Sequence, residues 1–257
     1  MSLNIVFMGK DKPVVGKALL HLSTEHDHTI KAVVIPDGSE LHELSKKLRL
    51  PTYNQNSIYG ALEHWRDIDL VISFLYWRKI KPSLIRLPRL GCINFHPAPL
   101  PEYRGVGGYA SAILHDKQEF GVTVHHVSEG FDEGDLIEVS RFSIDCTKET
   151  AYSLEKTTME QLYNSFTSLM SALTDPDYIL PRTPQGEGTY TDIPTRESWK
   201  RVTALDSPED IDRKIRAFWF PPYTGAQIEH NGSSYTIVND FVLQDLANAL
   251  KQAFVQR

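Results

Sequence analysis

The chain has 257 residues, of which 41% are hydrophobic and 10% aromatic, enough to build a core for one larger domain with an extension or two modest domains. Its formal net charge of -6 argues against nucleic acid as the main partner, because phosphate backbones are met by basic surfaces. No apolar run reaches membrane-spanning length, the N-terminal "MSLNIVFMGKDKP" is too poor in apolar residues for a signal-peptide core, and Cys92 and Cys146 lack paired-thiol spacing, so a cytoplasmic, reducing location is expected.

In chain order, "LNIVFMG" is a short β-branched and aromatic run closed by glycine, and "PVVGKALLHL" reads as a helix. A strand-like "TIKAVVI", the helical "LHELSKKL" and "SIYGALEHW", and a strand-like "IDLVISF" follow. Strands alternating with helices predict an α/β fold, a Rossmann-like, mostly parallel sheet with flanking helices. "GCINF" predicts another buried strand, and ligands of such sheets bind beyond the carboxyl ends of the strands. After the helix-like "GGYASAILH", "FGVTVHHV" and "DLIEVSRFSI" read as two strands joined through "SEGFDEG". "AYSLEKTTMEQLYNSFTSLMSAL" has a helical period and closes a first domain over residues 1–180. The proline-, glycine- and threonine-rich stretch 181–204 reads as a linker. Residues 205–257 form a small C-terminal region: "SPEDIDRKIRAF" opens with Ser207 as a cap and acids in the first turn, and "AQIEHNGSSYTIV" reads as a hairpin.

Three polar residues fall at predicted strand ends or in adjoining loops: Asn94, His96 and Asp132. An amide and an imidazole one residue apart can aim at one substrate oxygen, and Pro97 restricts the backbone of His96 to extended geometry. A carboxylate from a neighbouring loop can orient the imidazole or a water and favour its protonated form. Such a trio suits acyl transfer, in which charge develops on oxygen and a proton must move. No serine or cysteine nucleophile lies nearby in sequence, so direct transfer to an incoming amine is the simpler route.

"INFHPAPLPEYRG", followed by "GVTVHHVSEGFDEGDLI", resembles the signature of 10-formyltetrahydrofolate-dependent formyltransferases. Asn94, His96, Pro97, Arg104, Gly105, Gly121, Asp132 and Gly134 occupy the positions of that signature. The resemblance implies that Asn94 donates to the formyl oxygen, that His96 adds a second hydrogen bond and moves the amine's proton, and that Asp132 holds the imidazole or a water. It implies 10-formyltetrahydrofolate as co-substrate, held by Trp77, Arg78, Lys79 and Ile80 and by the turn residues Gly130 and Phe131; ordinary packing is the alternative for Trp77. Lys10 and Lys12, in the glycine turn after the first strand, are read as neighbours of a substrate phosphate, with plain solvation as the alternative. Arg104, Gly105 and Tyr223 join them as expected substrate contacts. "EHDH" at residues 25–28 and the pair His125–His126 lack a converging set of ligands, so no metal is expected; the resemblance gives His125 at most a supporting role.

The segment "WKRVTALDSPEDIDRKIRAFWFPPYTGAQIEHNG" resembles the start of the C-terminal domain in longer formyltransferases, and the chain ends soon after it. Within that resemblance it is closest to the sugar N-formyltransferases. A dTDP-linked 3-amino or 4-amino deoxysugar is the implied acceptor, with no nucleic acid or membrane partner and a homodimeric assembly. Phe218, Trp219, Phe220 and Tyr223 could stack on a base or pack the hairpin. A methionyl-tRNA formyltransferase and an inactive nucleotide-sugar binding module are the alternatives.

Overall fold

A computed structural model describes residues 2–25 and 27–255, with side chains up to residue 247. The first half runs β1 (Asn4–Gly9), α1 (Pro13–Thr24), β2 (Thr29–Val34), α2 (Glu40–Lys47), β3 (Thr52–Tyr53), α3 (Ile58–Ala61) with a 3-10 turn (Leu62–His64), β4 (Leu70–Phe74), α4 (Pro82–Ile85) and β5 (Cys92–His96). Then come β6 (Arg104–Gly105), α5 (Gly108–Leu114), β7 (Glu119–His126), β8 (Leu136–Ser143) and α6 (Ala151–Ala172). The chain continues through β9 (Tyr190–Thr191), α7 (Ile193–Ser198), α8 (Pro208–Phe218), β10 (Gln227–His230), β11 (Ser233–Thr236) and α9 (Asp240–Val255).

Seven strands make one sheet in the order β3-β2-β1-β4-β5-β7-β8. The pairs β2–β3, β1–β2, β1–β4 and β4–β5 are parallel, and β5–β7 is antiparallel. The mostly parallel α/β sheet that the alternation of strands and helices predicts is therefore the fold observed. β1 reverses the strand order, since β2 lies on one side of it and β4 on the other. The carboxyl ends of β1, β4 and β5 thus border the place where sheets of this class bind ligands.

Two compact units divide the described residues. The first comprises residues up to Arg104, Gly121–Arg141 and Thr158–Thr189; the second comprises Gly105–Phe120, Phe142–Thr157 and the residues from Tyr190 onward. In the first unit α1 buries Val15, Ala18, Leu19 and Leu22, the spacing of one helical face. It starts at Pro13, whose missing N–H would have had no helical partner. The α6 residues Leu162, Phe166, Leu169 and Met170 join Phe7, Phe74, Ile93 and Phe95 in the same core. On the other side of the sheet Val6, Met8, Val34, Val71, Ile80, Leu84 and Cys92 form a second cluster.

The second unit has its own small core of Val202, Ile215, Ala226 and Val242. α8 begins as the sequence predicts: the Ser207 side chain accepts from the Asp210 N–H, with Glu209 and Asp210 in the first turn. The predicted hairpin is β10–β11, paired from Gln227↔Thr236 to His230↔Ser233. Its turn residues Asn231 and Gly232 have φ of 49° and 77°, as a two-residue hairpin loop requires. Six elements go beyond the sequence reading: the two-residue strands β3, β6 and β9, the short helices α4 and α7, and α9 after the hairpin; β9 and α7 lie inside the stretch read as a linker. Cys92 and Cys146 are free, buried thiols. Among the described residues no helix is long and apolar enough to cross a membrane.

Candidate active site

β5 supplies two polar residues because its alternate residues are claimed by the core. Ile93 and Phe95 belong to the α6-side cluster, where the Phe95 ring lies 5.4 Å from Phe166 and 5.2 Å from Phe74. Side chains alternate along a strand, so Asn94 and His96 both emerge on the opposite face. Across the antiparallel ladder Asn94 is paired with His125 and His96 with Thr123. Thr123 is buried and secures the loop that leaves His96. Its hydroxyl accepts from the Leu100 N–H at 2.9 Å and donates to the Ala98 carbonyl at 2.9 Å.

The Asn94 carboxamide is held at both ends. Its Oδ1 accepts from the Ser73 hydroxyl at 2.6 Å, and its Nδ2 lies 3.0 Å from His125 Nε2. His125 Nδ1 is 2.8 Å from the His126 carbonyl, an acceptor only, so that nitrogen carries the ring proton and Nε2 accepts from Asn94. The amide therefore presents its NH2 end, with one hydrogen on His125 and a second able to meet a ligand oxygen.

His96 is buried, and its Nε2 donates to the Tyr103 carbonyl at 2.9 Å. Nδ1 is consequently the basic nitrogen, and it lies 3.6 Å from Asp132 Oδ1. The same carboxylate oxygen is 3.5 Å from His125 Nε2. Burial pushes the His96 pKa below the ordinary histidine value, with Asp132 pulling it up and His125 adding to the depression. The imidazole is thus neutral at pH 7, and Nδ1 can take a proton next to a carboxylate that stabilises the resulting cation.

Asp132 arrives on the turn between β7 and β8 with φ of 55°, left-handed backbone that aspartate tolerates better than most residues. Gly134 makes the turn possible, since a Cβ there would stand 1.8 Å from the His126 carbonyl oxygen. Arg104 and Gln185 support the turn from behind. The Arg104 guanidinium donates to Gln185 Oε1 at 3.0 and 3.2 Å, and Gln185 Nε2 donates to the carbonyls of Asp132 at 3.0 Å and Gly134 at 2.5 Å.

Asn94, His125 and Asp132 line an open cleft in the first unit, together with Ser73, Tyr76, Arg78, Lys79, Ile80, Val127, Ser128, Gly130 and Phe131. Five of the six residues expected to hold the formyl donor are therefore on its wall. Trp77, the sixth, is half-exposed and lies at a neighbouring hollow with Asp37 and Asn54. Burial raises the Tyr76 hydroxyl to about 12, so it lines the cleft as a neutral group.

The expected substrate contacts belong to both units. Lys12 stands at the residue before α1 and shares a hollow with Asp11 and Glu40, outside the cleft. Lys10 follows directly on β1 and is not part of the cleft wall either. The Arg104 guanidinium also donates to the Gly186 carbonyl. Gly105, at φ of 83°, belongs to the second unit, where a Cβ would approach the Thr191 carbonyl to 2.3 Å. Tyr223 is also in the second unit, 72% exposed, with its ring 5.8 Å from Phe220. Phe218 is buried there, and the Trp219 indole donates to Asp245.

Among the described residues no three potential ligands converge on a metal. His125 and His126 occupy successive strand positions, and His26 of "EHDH" lies outside the described residues. Sequence reasoning assigned His125 too little: it touches both Asn94 and Asp132 and lines the cleft. Its position opposite Asn94 depends on the β5–β7 register, which no local signal in the sequence specifies. Ser73 was missed for the same reason, since it meets Asn94 through the β4–β5 register; Gln185 was missed because it reaches the turn from an irregular stretch about 50 residues downstream.

A family profile described as "Formyl transferase" matches residues 44–169, a span that includes Asn94, His96 and Asp132. Methionyl-tRNA formyltransferase of Rickettsia felis is 25% identical over 250 residues, covering 89% of this chain and 78% of that protein. GDP-perosamine N-formyltransferase of Brucella melitensis is 29% identical over 191 residues, covering 72% of this chain and 70% of that protein. The crystal structure of an N-formyltransferase from Helicobacter canadensis, in complex with folinic acid and dTDP-3-aminofucose, aligns with a TM-score of 0.71 at 19% identity, over 90% of this chain and 85% of that one. Residues 44–169 thus match a formyl transferase domain, and it is this stretch that carries Asn94, His96 and Asp132.

Proposed function

We propose that the protein transfers a formyl group from 10-formyltetrahydrofolate to the amine of a nucleotide-linked amino deoxysugar, dTDP-linked and aminated at C3 or C4. The observation that carries this reading is a fixed amide donor and a carboxylate on the wall of one cleft, with the neutral imidazole of His96 buried behind them, its Nδ1 3.6 Å from that carboxylate. Asn94 Nδ2 donates to the formyl oxygen as negative charge builds on it. His96 Nδ1 takes the proton that the amine gives up on forming its new C–N bond, and Asp132 steadies the imidazolium. The same proton can then pass to the nitrogen that leaves the formyl carbon, so His96 ends as it began. His125 keeps the Asn94 amide pointing in one direction throughout.

The cleft suits a flat heteroaromatic donor. Tyr76, Ile80, Val127 and Phe131 provide apolar wall, and Ser73, Ser128 and the main chain around Lys79 and Gly130 provide polar groups. The Brucella relative and the Helicobacter structure, both named for amino sugars, support the acceptor class. So does the net charge of -6, which disfavours a long phosphate backbone. A methionyl-tRNA acceptor is the second reading, because the Rickettsia relative matches most of the chain.

A mass-spectrometric screen decides between them. The protein is incubated with the formyl donor and, separately, with dTDP- and GDP-linked amino sugars and charged initiator tRNA. Gain of one CO on a dTDP-linked amino sugar is the expected result. Gain on the tRNA alone overturns the sugar reading, and gain on the GDP-linked sugars alone overturns the choice of nucleotide. We also expect a homodimer in the cytoplasm; light scattering that returns the mass of a single chain refutes the dimer.

A further inference from the structure

We propose that Gln185 is a positioning residue for the Asp132 carboxylate, its side-chain amide fixing the main chain of the 132–134 turn. This rests on the reading of Asp132 as the partner of His96. Gln185 lies about 50 residues downstream of the turn in sequence, within the proline- and glycine-rich stretch that follows α6, yet its Nε2 donates to two carbonyls of that turn, those of Asp132 and Gly134. Both hydrogens of the amide are therefore used on the main chain on either side of Glu133.

The amide cannot rotate to satisfy other partners. Its Oε1 accepts two hydrogen bonds from the Arg104 guanidinium, at 3.0 and 3.2 Å, and Arg104 is itself anchored by the Gly186 carbonyl. The planar guanidinium fork fixes which end of Gln185 faces the turn. The turn has reason to need such a clamp: Asp132 sits at φ of 55°, a left-handed conformation that relaxes unless its surroundings hold it. The distance from Asp132 Oδ1 to His96 Nδ1 is 3.6 Å, so a small rotation of the turn decides whether the carboxylate meets that nitrogen once it carries a proton.

Gln185→Met, which keeps the length and volume of the side chain and removes its hydrogen bonds, tests the proposal in the full chain. The first readout is the NMR titration of the His96 ring without substrates. The groups facing that ring are Asp132, His125 and the Tyr103 carbonyl. In wild type the Asp132 charge opposes the effect of burial; in Asp132→Asn that opposition is gone and His96 titrates lower. Gln185→Met should move toward the Asp132→Asn value, with kcat reduced by about tenfold to a hundredfold and both KM values within about threefold of wild type. Arg104→Met, which frees the other end of Gln185, should shift the same titration in the same direction by less.

A His96 titration identical to wild type in both variants overturns the positioning role, and leaves formyl transfer by the wild-type protein standing. If the titration shifts as expected while wild type formylates no acceptor, the formyltransferase reading fails and the clamp survives. A fall in kcat with an unmoved titration, or a rise in acceptor KM alone, also overturns the proposal, since the first is general loosening and the second is direct substrate binding by Gln185.

Discussion

Asn94 and His96 share a face because two core residues, Ile93 and Phe95, occupy the other, so a strand that is only five residues long delivers both polar groups to one place. The tautomers follow from their neighbours: the carbonyl of Tyr103 claims His96 Nε2, and the carbonyl of His126 claims His125 Nδ1. His96 must be neutral to accept a proton, so kcat/KM should fall as pH drops below its depressed pKa. Asp132 opposes the depression, and its neutralisation should move the acid limb to lower pH. For Asp132→Asn we therefore expect a plateau reduced by about a hundredfold or more and an acid limb shifted downward; pH–rate profiles of the two proteins check both. An acid limb shifted upward would show that the carboxylate is not what supports the imidazolium. The trio itself was legible in the sequence, because two members are two residues apart and the third ends a glycine-rich turn. His125 was legible only as a histidine, since its partner lies 31 residues away and is reached through strand pairing.

At the scale of elements, the polar groups are held by turns whose residues have little freedom. Gly134→Ala would drive a methyl group into the His126 carbonyl and displace the turn that carries Asp132. We expect a loss of about 1–3 kcal/mol in stability with a large drop in kcat, measured by urea unfolding and steady-state rates. Ser207→Ala is the contrast. It removes the α8 cap, in the second unit, and should lower stability by about 1 kcal/mol with formyl transfer unchanged. The long helices and buried strands were legible because their apolar spacing is regular, as in α1 with Val15, Ala18, Leu19 and Leu22 on one face. The four-residue α4 and six-residue α7 have no such period. α9 does carry a start signal, Asn239, whose side chain accepts from the Val242 N–H.

At the scale of the whole molecule, two buried histidines link stability to pH. His96 and His126 both have pKa values pushed below the ordinary value, in each case chiefly by burial. The folded chain thus holds fewer protons than the unfolded chain near pH 6, and stability rises with pH there. The contribution is fully present above the unfolded value of 6.5 and is lost as pH falls toward the folded values. Carboxylates held low by their partners, such as Asp145 at about 2, titrate further down and do not blur this window. Urea midpoints should therefore fall between about pH 7.5 and pH 5.5, and His126→Gln should flatten the fall. A midpoint that rises over this range would contradict the assignment of both rings as buried and neutral.

The central claim is that the Asn94 amide stabilises charge on a formyl oxygen. Single-turnover transfer of a labelled formyl group to the amino-sugar nucleotide, with wild-type and Asn94→Ala protein side by side at saturating donor, tests it most directly. We predict transfer by wild type and a rate about two to three orders of magnitude lower in the variant, with donor affinity nearly unchanged. Equal rates in the two proteins would contradict it.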